Sequence, residues 1–282
     1  MKIIECPRDA MQGIHEFIPT ESKIAYINSL LKIGFDTIDF GSFVSPKAIP
    51  QMRDTAEVLN SLDLNATRSK LLAIIANIRG AQDAVEFDEI SYLGFPFSIS
   101  ETFQIRNTNS SISEALQKLE EIQNLCFRNR KELVVYISMA FGNPYGDNWN
   151  KELVVHWAGQ LKQLGIKTIA LSDTIGASNK VTIFELFSSL ISMYPEIEFG
   201  AHLHSRPETA YEKIEAAHSA GCKRFDVAIR GLGGCPMADD KLVGNIATEA
   251  LMLFLKNSNE LLDLDEGKLS ESYLMADKIF NV

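Results

Sequence analysis

Residues 167–205 read KTIALSDTIGASNKVTIFELFSSLISMYPEIEFGAHLHS. A short β-type run at 167–172 leads into a helical stretch, and a second β-type run follows at 197–203. The second run is apolar at alternate positions, the pattern of a strand whose successive side chains leave opposite faces. His202 and His204 stand two residues apart and therefore share one face. Paired imidazoles projecting side by side suit a divalent metal. Strand, helix and strand in succession form the repeating unit of parallel α/β folds.

The same alternation runs outward in both directions. Further β-type runs lie near 2–6, 36–41, 71–76, 89–95, 132–139 and 223–229, and helical spacing of apolar residues fills the intervals. Ile112, Leu116, Leu119 and Ile122 are one such stripe, and Leu153, Trp157, Leu161 and Leu164 another. Thr20-Glu21-Ser22 is read as the start of the first helix and Ser111/Ser113-Glu114 as that of the fourth. Gly34, Gly165 and Gly221 stand where helices should stop. Eight β-then-α units without a composition break predict a single (β/α)8 TIM barrel, one catalytic domain over 1–282. Extra C-terminal helices are expected at 243–256 and 268–280. The alternative is an open doubly wound sheet, but no Gly-x-Gly-x-x-Gly follows the first strand.

Composition narrows the function classes. The 282 residues are 46% hydrophobic, with 27 basic against 37 acidic residues and a net charge of −10. Such a balance argues against a nucleic-acid partner, whose phosphates are met by Lys and Arg. No run of 18 apolar residues exists, so no membrane span is expected, and the charged N-terminus does not read as a signal peptide. Four cysteines, Cys6, Cys126, Cys222 and Cys235, contain no Cys-x-x-Cys pair. A reducing cytoplasm is the expected compartment. A homodimer is the expected assembly.

In a barrel of this kind the chemistry gathers at the C-terminal ends of the strands. Arg8 and Asp9 follow the first strand, Asp39 and Ser42 lie at the second, Asp173 at the sixth, and His202 and His204 end the seventh. The glycine-rich stretch GLGGCPMADDKLVGN, 231–245, follows the eighth and carries Cys235 and Asn245. Asp9, His202, His204 and Asn245 can offer two oxygens and two nitrogens to one cation. That set with open positions suits Mg²⁺ or Mn²⁺ better than Zn²⁺. Each residue also has an ordinary structural reading. Asp9 can cap a helix or pair with Arg8, Asn245 can cap the helix beginning IATEAL, and Cys235 can be a small buried hydrophobe. Asp39 in an apolar strand is costly to bury unless paired, for which Arg8 would serve. Arg8 can stabilise an enolate or hold a carboxylate, and a mobile thiol can protonate a carbanion. Asp173 in LSDTIG is read as organising its loop.

The segments ECPRDAMQ, TIDFGSFVSPKAIPQM, ISETFQIRNTNSSISEAL, LSDTIG, AHLHS and GLGGCPMADDKLVGNIATE span residues 5 to 249. In them the chain resembles the hydroxymethylglutaryl-CoA lyase family of metal-dependent lyase and Claisen-synthase barrels. The resemblance implies Asp9, His202, His204 and Asn245 as metal ligands. It implies Arg8 as enolate stabiliser, Asp39 where the family has a catalytic Glu, Cys235 as the catalytic cysteine, and His202 or Asp39 as base. The implied reaction cleaves 3-hydroxy-3-methylglutaryl-CoA, or a close hydroxy-acyl thioester, to acetoacetate and acetyl-CoA, with an acyl-CoA as the small-molecule partner. A Claisen-type acyltransferase or oxo-acid aldolase, and a barrel that binds metal or metabolite without catalysis, are the alternatives. The chain departs from the family pattern at Ala10, at His15 near a missing lysine, at Asp39 and at Ser205. Arg206 brings new positive charge near the expected mouth, and Lys47, Arg53, Arg106 and Lys241 are candidate cations for a CoA chain.

Overall fold

The computed structural model describes residues 1–65, 67–234, 243–260 and 263–281. Eight strands, β1 (Lys2–Glu5), β2 (Thr37–Ser42), β3 (Lys70–Ile74), β4 (Ile90–Ser98), β5 (Glu132–Ser138), β6 (Thr168–Asp173), β7 (Glu198–Leu203) and β8 (Arg224–Val227), close in chain order into a barrel. Every neighbouring pair is parallel, including β8 with β1, where Lys2 to Glu5 align with Arg224 to Val227. All eight expected strands are present within a few residues of their predicted bounds.

A strand covered on both faces must be apolar on both, so two cores result. The larger lies between the sheet and the surrounding helices; the smaller, inside the barrel, includes Leu72, Tyr92, Val134, Tyr136 and Ala170. Gly94 makes room there, since a Cβ on it would meet Ile74 Cδ1 at 2.5 Å and Tyr136 Cε2 at 3.0 Å. Between β2 and β3 the register shifts at Asp39/Gly41, which bends the strand end that carries Asp39.

Helix starts follow the sequence signals in part. Ser111 heads the helix Ile112–Arg128 in a reciprocal capping box with Glu114. A helix does start at Thr20, running Thr20–Leu30, but it is the second in the chain and its cap residue Pro19 makes no side-chain cap. Pro7–Gln12 forms a short one before it, with Pro7 in its first turn, and the Thr20 hydroxyl donates to Asp54. The helix expected from residue 243 begins at Thr248, because the chain before it runs extended and bridges β-fashion, Asn245 to His204 and Ala247 to Ala228. The last helix is Glu266–Phe280. No helix among the described residues is long and apolar enough to cross a membrane.

One buried carboxyl ties the two ends of the barrel wall together. Glu5 is fully buried and accepts from the Ile229 N–H at 2.8 Å and the Thr248 hydroxyl at 2.6 Å. Burial pushes its carboxyl up to about 8, so it stays protonated in the folded chain at neutral pH. Unfolded, it ionises near its ordinary value, so its contribution to stability falls as pH rises from about 4.5 to about 8. Glu5→Gln removes the titration and can keep both contacts, its Oε1 accepting from the Ile229 N–H and its Nε2 donating to the Thr248 hydroxyl oxygen. Its stability advantage over the parent should therefore grow across that window to on the order of a few kcal/mol, read as urea midpoints at pH 5 and 8.

Candidate active site and metal centre

The short helix Pro7–Gln12 begins two residues after β1 ends and delivers Arg8, Asp9 and Gln12 to the C-terminal mouth of the barrel. Arg8 is buried at 7% exposure and holds three partners. Its Nε and Nη2 donate to the Asp39 carboxylate, the latter at 2.5 Å, and its Nη1 donates to Asp9 and to Gln12, each at 3.0 Å. The Gln12 amide donates back to Asp9 Oδ1. Asp39 therefore spends both oxygens on Arg8, the pairing that the sequence left open.

Asn245 crosses to Asp9 from the other end of the chain. Its Nδ2 donates to Asp9 Oδ2 at 2.5 Å and to the Leu232 carbonyl at 2.9 Å. It caps no helix, as the following helix is preceded by Ala247 without a side-chain cap. Opposite stand the imidazoles of His202, in β7, and His204, just past its end, their ring centroids 5.3 Å apart. His204 Nδ1 faces the Thr174 carbonyl at 3.1 Å and His202 Nδ1 faces Asp226 at 3.2 Å. Both partners are acceptors, so each Nδ1 carries a proton, and the neutral His204 ring keeps the lone pair on its Nε2.

Ligand atoms of Asp9, His202 and His204 all lie within 4.8 Å of one another. His204 Nε2 and Asn245 Oδ1 are buried without a hydrogen-bond partner. Orphaned buried acceptors are rare, and two on residues beside Asp9 fit a cation shared among Asp9, His202, His204 and Asn245. The mixed oxygen and nitrogen set, with no thiolate among these four, is of the kind that Mg²⁺, Mn²⁺ or Zn²⁺ accepts.

Electrostatics divide the groups. Burial and the neighbouring His202 push His204 down to about 4, leaving it neutral and able to ligate. Burial works against a charge on His202, but Asp226 and Asp9 outweigh it and raise its pKa. Burial likewise opposes the Asp9 carboxylate, yet Arg8 and the two histidines hold it below the usual range. At Asp39 burial wins over Arg8 and lifts the carboxyl to about 6.

A cavity of about 490 Å³ opens over this cluster. Arg8, Asp9, His202 and His204 line its polar floor, and Val44, Ile49, Ile74 and Phe103 its apolar side. Asp39, 1% exposed, does not line it but stands behind Arg8. Of the candidate cations among the described residues, only Arg106 lines it. Arg53 stacks on Phe17, and Lys47 and Arg206 are exposed away from the lining. Ser205 bonds to Thr209 and the Arg206 carbonyl, and Ala10 is helical, so neither departure disturbs the ligand cluster directly. Cys235 and Lys241 lie outside the described residues.

Three supporting residues escaped the sequence reading. Asp226 holds His202, and Gln12 bridges Arg8 and Asp9. Lys213, buried at 3% exposure, donates to Asp173 and to the His204 carbonyl, each at 2.8 Å. Asp173 also accepts from the Ser178 N–H and so does organise its loop. A charged residue on an apolar strand or helix face was the available signal for Asp226 and Lys213.

The HMGL-like family model matches residues 2–273. The hydroxymethylglutaryl-CoA lyase YngG of Bacillus subtilis is 34% identical over 272 residues, 96% of this chain and 89% of the relative. The cytoplasmic 3-hydroxy-3-methylglutaryl-CoA lyase of Danio rerio is 34% identical over 275 residues, 96% of this chain and 81% of the relative. Among solved structures, an HMG-CoA lyase from Acinetobacter baumannii in complex with coenzyme A and 3-methylmalate superposes with a TM-score of 0.92. It is 30% identical, covering all of this chain and 91% of that one. The carboxyl transferase domain of Rhizobium etli pyruvate carboxylase, at 15% identity and a TM-score of 0.73, shares the fold. With the family model running from the first strand into the last helix and relatives alike over nearly the whole length, the chain belongs to the HMGL-like family.

Proposed function

We propose that the protein is a divalent-metal-dependent carbon–carbon lyase that cleaves 3-hydroxy-3-methylglutaryl-CoA to acetoacetate and acetyl-CoA. The observation that carries this reading is the convergence of Asp9, His202, His204 and Asn245 with unpartnered acceptors on His204 and Asn245. The names of its relatives support the substrate, and the coenzyme A and 3-methylmalate bound by one of them support a small hydroxy diacid beside a thioester.

Asp9, His202, His204 and Asn245 would hold Mg²⁺ or Mn²⁺ at the mouth. A cation there supplies Lewis-acid polarisation of the substrate's hydroxyl and carbonyl oxygens. With Nδ1 protonated towards Asp226 and Nε2 given to the cation, His202 has no lone pair left for a proton. The base in this reading is Asp39, a carboxyl near 6 that stands behind Arg8 and would meet the hydroxyl proton only once Arg8 has turned to the substrate. Loss of that proton lets the carbon–carbon bond break, and Arg8 stabilises the thioester enolate with its delocalised positive charge. Cys235 returns a proton to the enolate carbon, a role that rests on the family resemblance. The apolar side of the cavity, with Val44, Ile49 and Phe103, keeps water from that carbon.

The direct test is acetyl-CoA release from 3-hydroxy-3-methylglutaryl-CoA with added Mg²⁺ or Mn²⁺. Release that a chelator abolishes is expected. No release with either metal, or turnover only in condensation of acetyl-CoA with a 2-oxo acid, would reverse the assignment.

His204→Ala should weaken Mn²⁺ binding more than about tenfold by calorimetry, with the far-ultraviolet dichroism unchanged. The acid limb of kcat/KM should fall below about pH 6, because the base works only as the carboxylate. Asp39→Asn should lower kcat by roughly 10² to 10⁴ and erase that limb. A slowed variant that keeps the limb moves the proton to another group.

A further inference from the structure

Beneath His202 the barrel interior holds a fully buried arginine. Arg224 is 0% exposed, and its Nε, Nη1 and Nη2 are all without a hydrogen-bond partner. Its Nη1 lies 3.8 Å from Glu198, and its guanidinium carbon sits 5.8 Å from the centre of the Tyr92 ring. The stem is admitted by a glycine on the next strand, since a Cβ on Gly200 would meet Arg224 Cδ at 2.9 Å. A guanidinium carries five donors, and leaving them all unmet in a dry interior is costly.

Two other orphans belong to the groups that hold the His202 ring. Asp226 stands two residues along β8 and so shares the inward face with Arg224. Its Oδ2 faces His202 Nδ1 at 3.2 Å, while its Oδ1 is buried without a partner. The Tyr136 ring meets the His202 ring edge-on at 5.5 Å, and its hydroxyl is likewise buried and unpartnered. Asp226 and then Tyr136 are the strongest electrostatic partners of Arg224. Donors on the arginine and acceptors on the aspartate and tyrosine are what one or two ordered waters need for their hydrogen bonds.

We propose that Arg224 is a positioning residue for His202, acting through buried water on Asp226 and Tyr136. Fixed from below, Asp226 accepts a hydrogen bond from Nδ1–H and the Tyr136 ring sets the imidazole plane, so that Nε2 points at Asp9 and His204. The consequence for metal affinity rests on the reading of His202 as a ligand. The consequence for the imidazole itself does not.

Both can be measured on the full chain. Calorimetric titration with Mn²⁺ should show Arg224→Met binding about 10- to 100-fold more weakly than the parent, the range typical of residues that orient a metal ligand. Arg224→Lys, which keeps the charge, should recover part of the loss. In the metal-free parent, ¹⁵N NMR should find His202 locked as the Nδ1–H tautomer, and a high-resolution crystal structure should place water between Arg224 and Asp226. Unchanged Mn²⁺ affinity in folded Arg224→Met, an Nε2–H tautomer in the parent, or a dry space beside Asp226 would each overturn the proposal. A parent that binds no Mn²⁺ would instead refute the metal reading and leave the tautomer and the water to decide. Should Arg224→Met not fold, those two measurements on the parent remain.

Discussion

Buried charge is the constraint to which this barrel mouth answers. Asp9, Asp39 and Asp226 are each less than 5% exposed, on three different strands or their following turns. A carboxylate removed from water is tolerable only with a partner close by. Arg8 spans two of them with one planar group, a task a lysine's point charge cannot match. The two imidazoles and the Asn245 amide close the remaining distance. Remove the arginine and two carboxylates face each other beside the cavity floor with no cationic side chain between them.

Much of this was legible because the strand repeat is short. Two residues apart means one face, so His202 and His204 could be paired from the sequence, and eight β-type runs alternating with helical stretches could be read as a closed ring. The cluster of Asp9 with Asn245 followed from closure of that ring. What stayed hidden lacked a local rule. Asp226 and Lys213 are polar residues within apolar periodicities, and their partners are 24 and 40 residues away. Gln12 carries neither charge nor periodicity to mark it, and its part shows only in its contacts with Arg8 and Asp9. Arg206 read as charge near the mouth, yet as the residue heading the helix Pro207–Ser219 it faces solvent.

The departures from the family pattern fall unevenly. Ala10 sits in a helical turn that asks nothing of a glycine, and Ser205 bonds within its own turn. Asp39 is the one that touches the polar network, and there the shorter side chain still reaches Arg8 with both oxygens. The substitution alters how far a carboxylate extends past the arginine, not whether the arginine is held.

The hydrogen bond between Asp9 and Asn245 joins residues 236 positions apart. During synthesis the first of them leaves the ribosome long before the second, and at roughly 5–20 residues per second the interval is tens of seconds or less. Throughout it Asp9 lacks the Asn245 amide, although Arg8 and its partners Asp39 and Gln12 are already made, and on the proposed ligand set a cation arriving early would meet an incomplete set of donors. If the proposed ligands hold a metal, its capture would report that translation has passed the eighth strand and that the ring has shut.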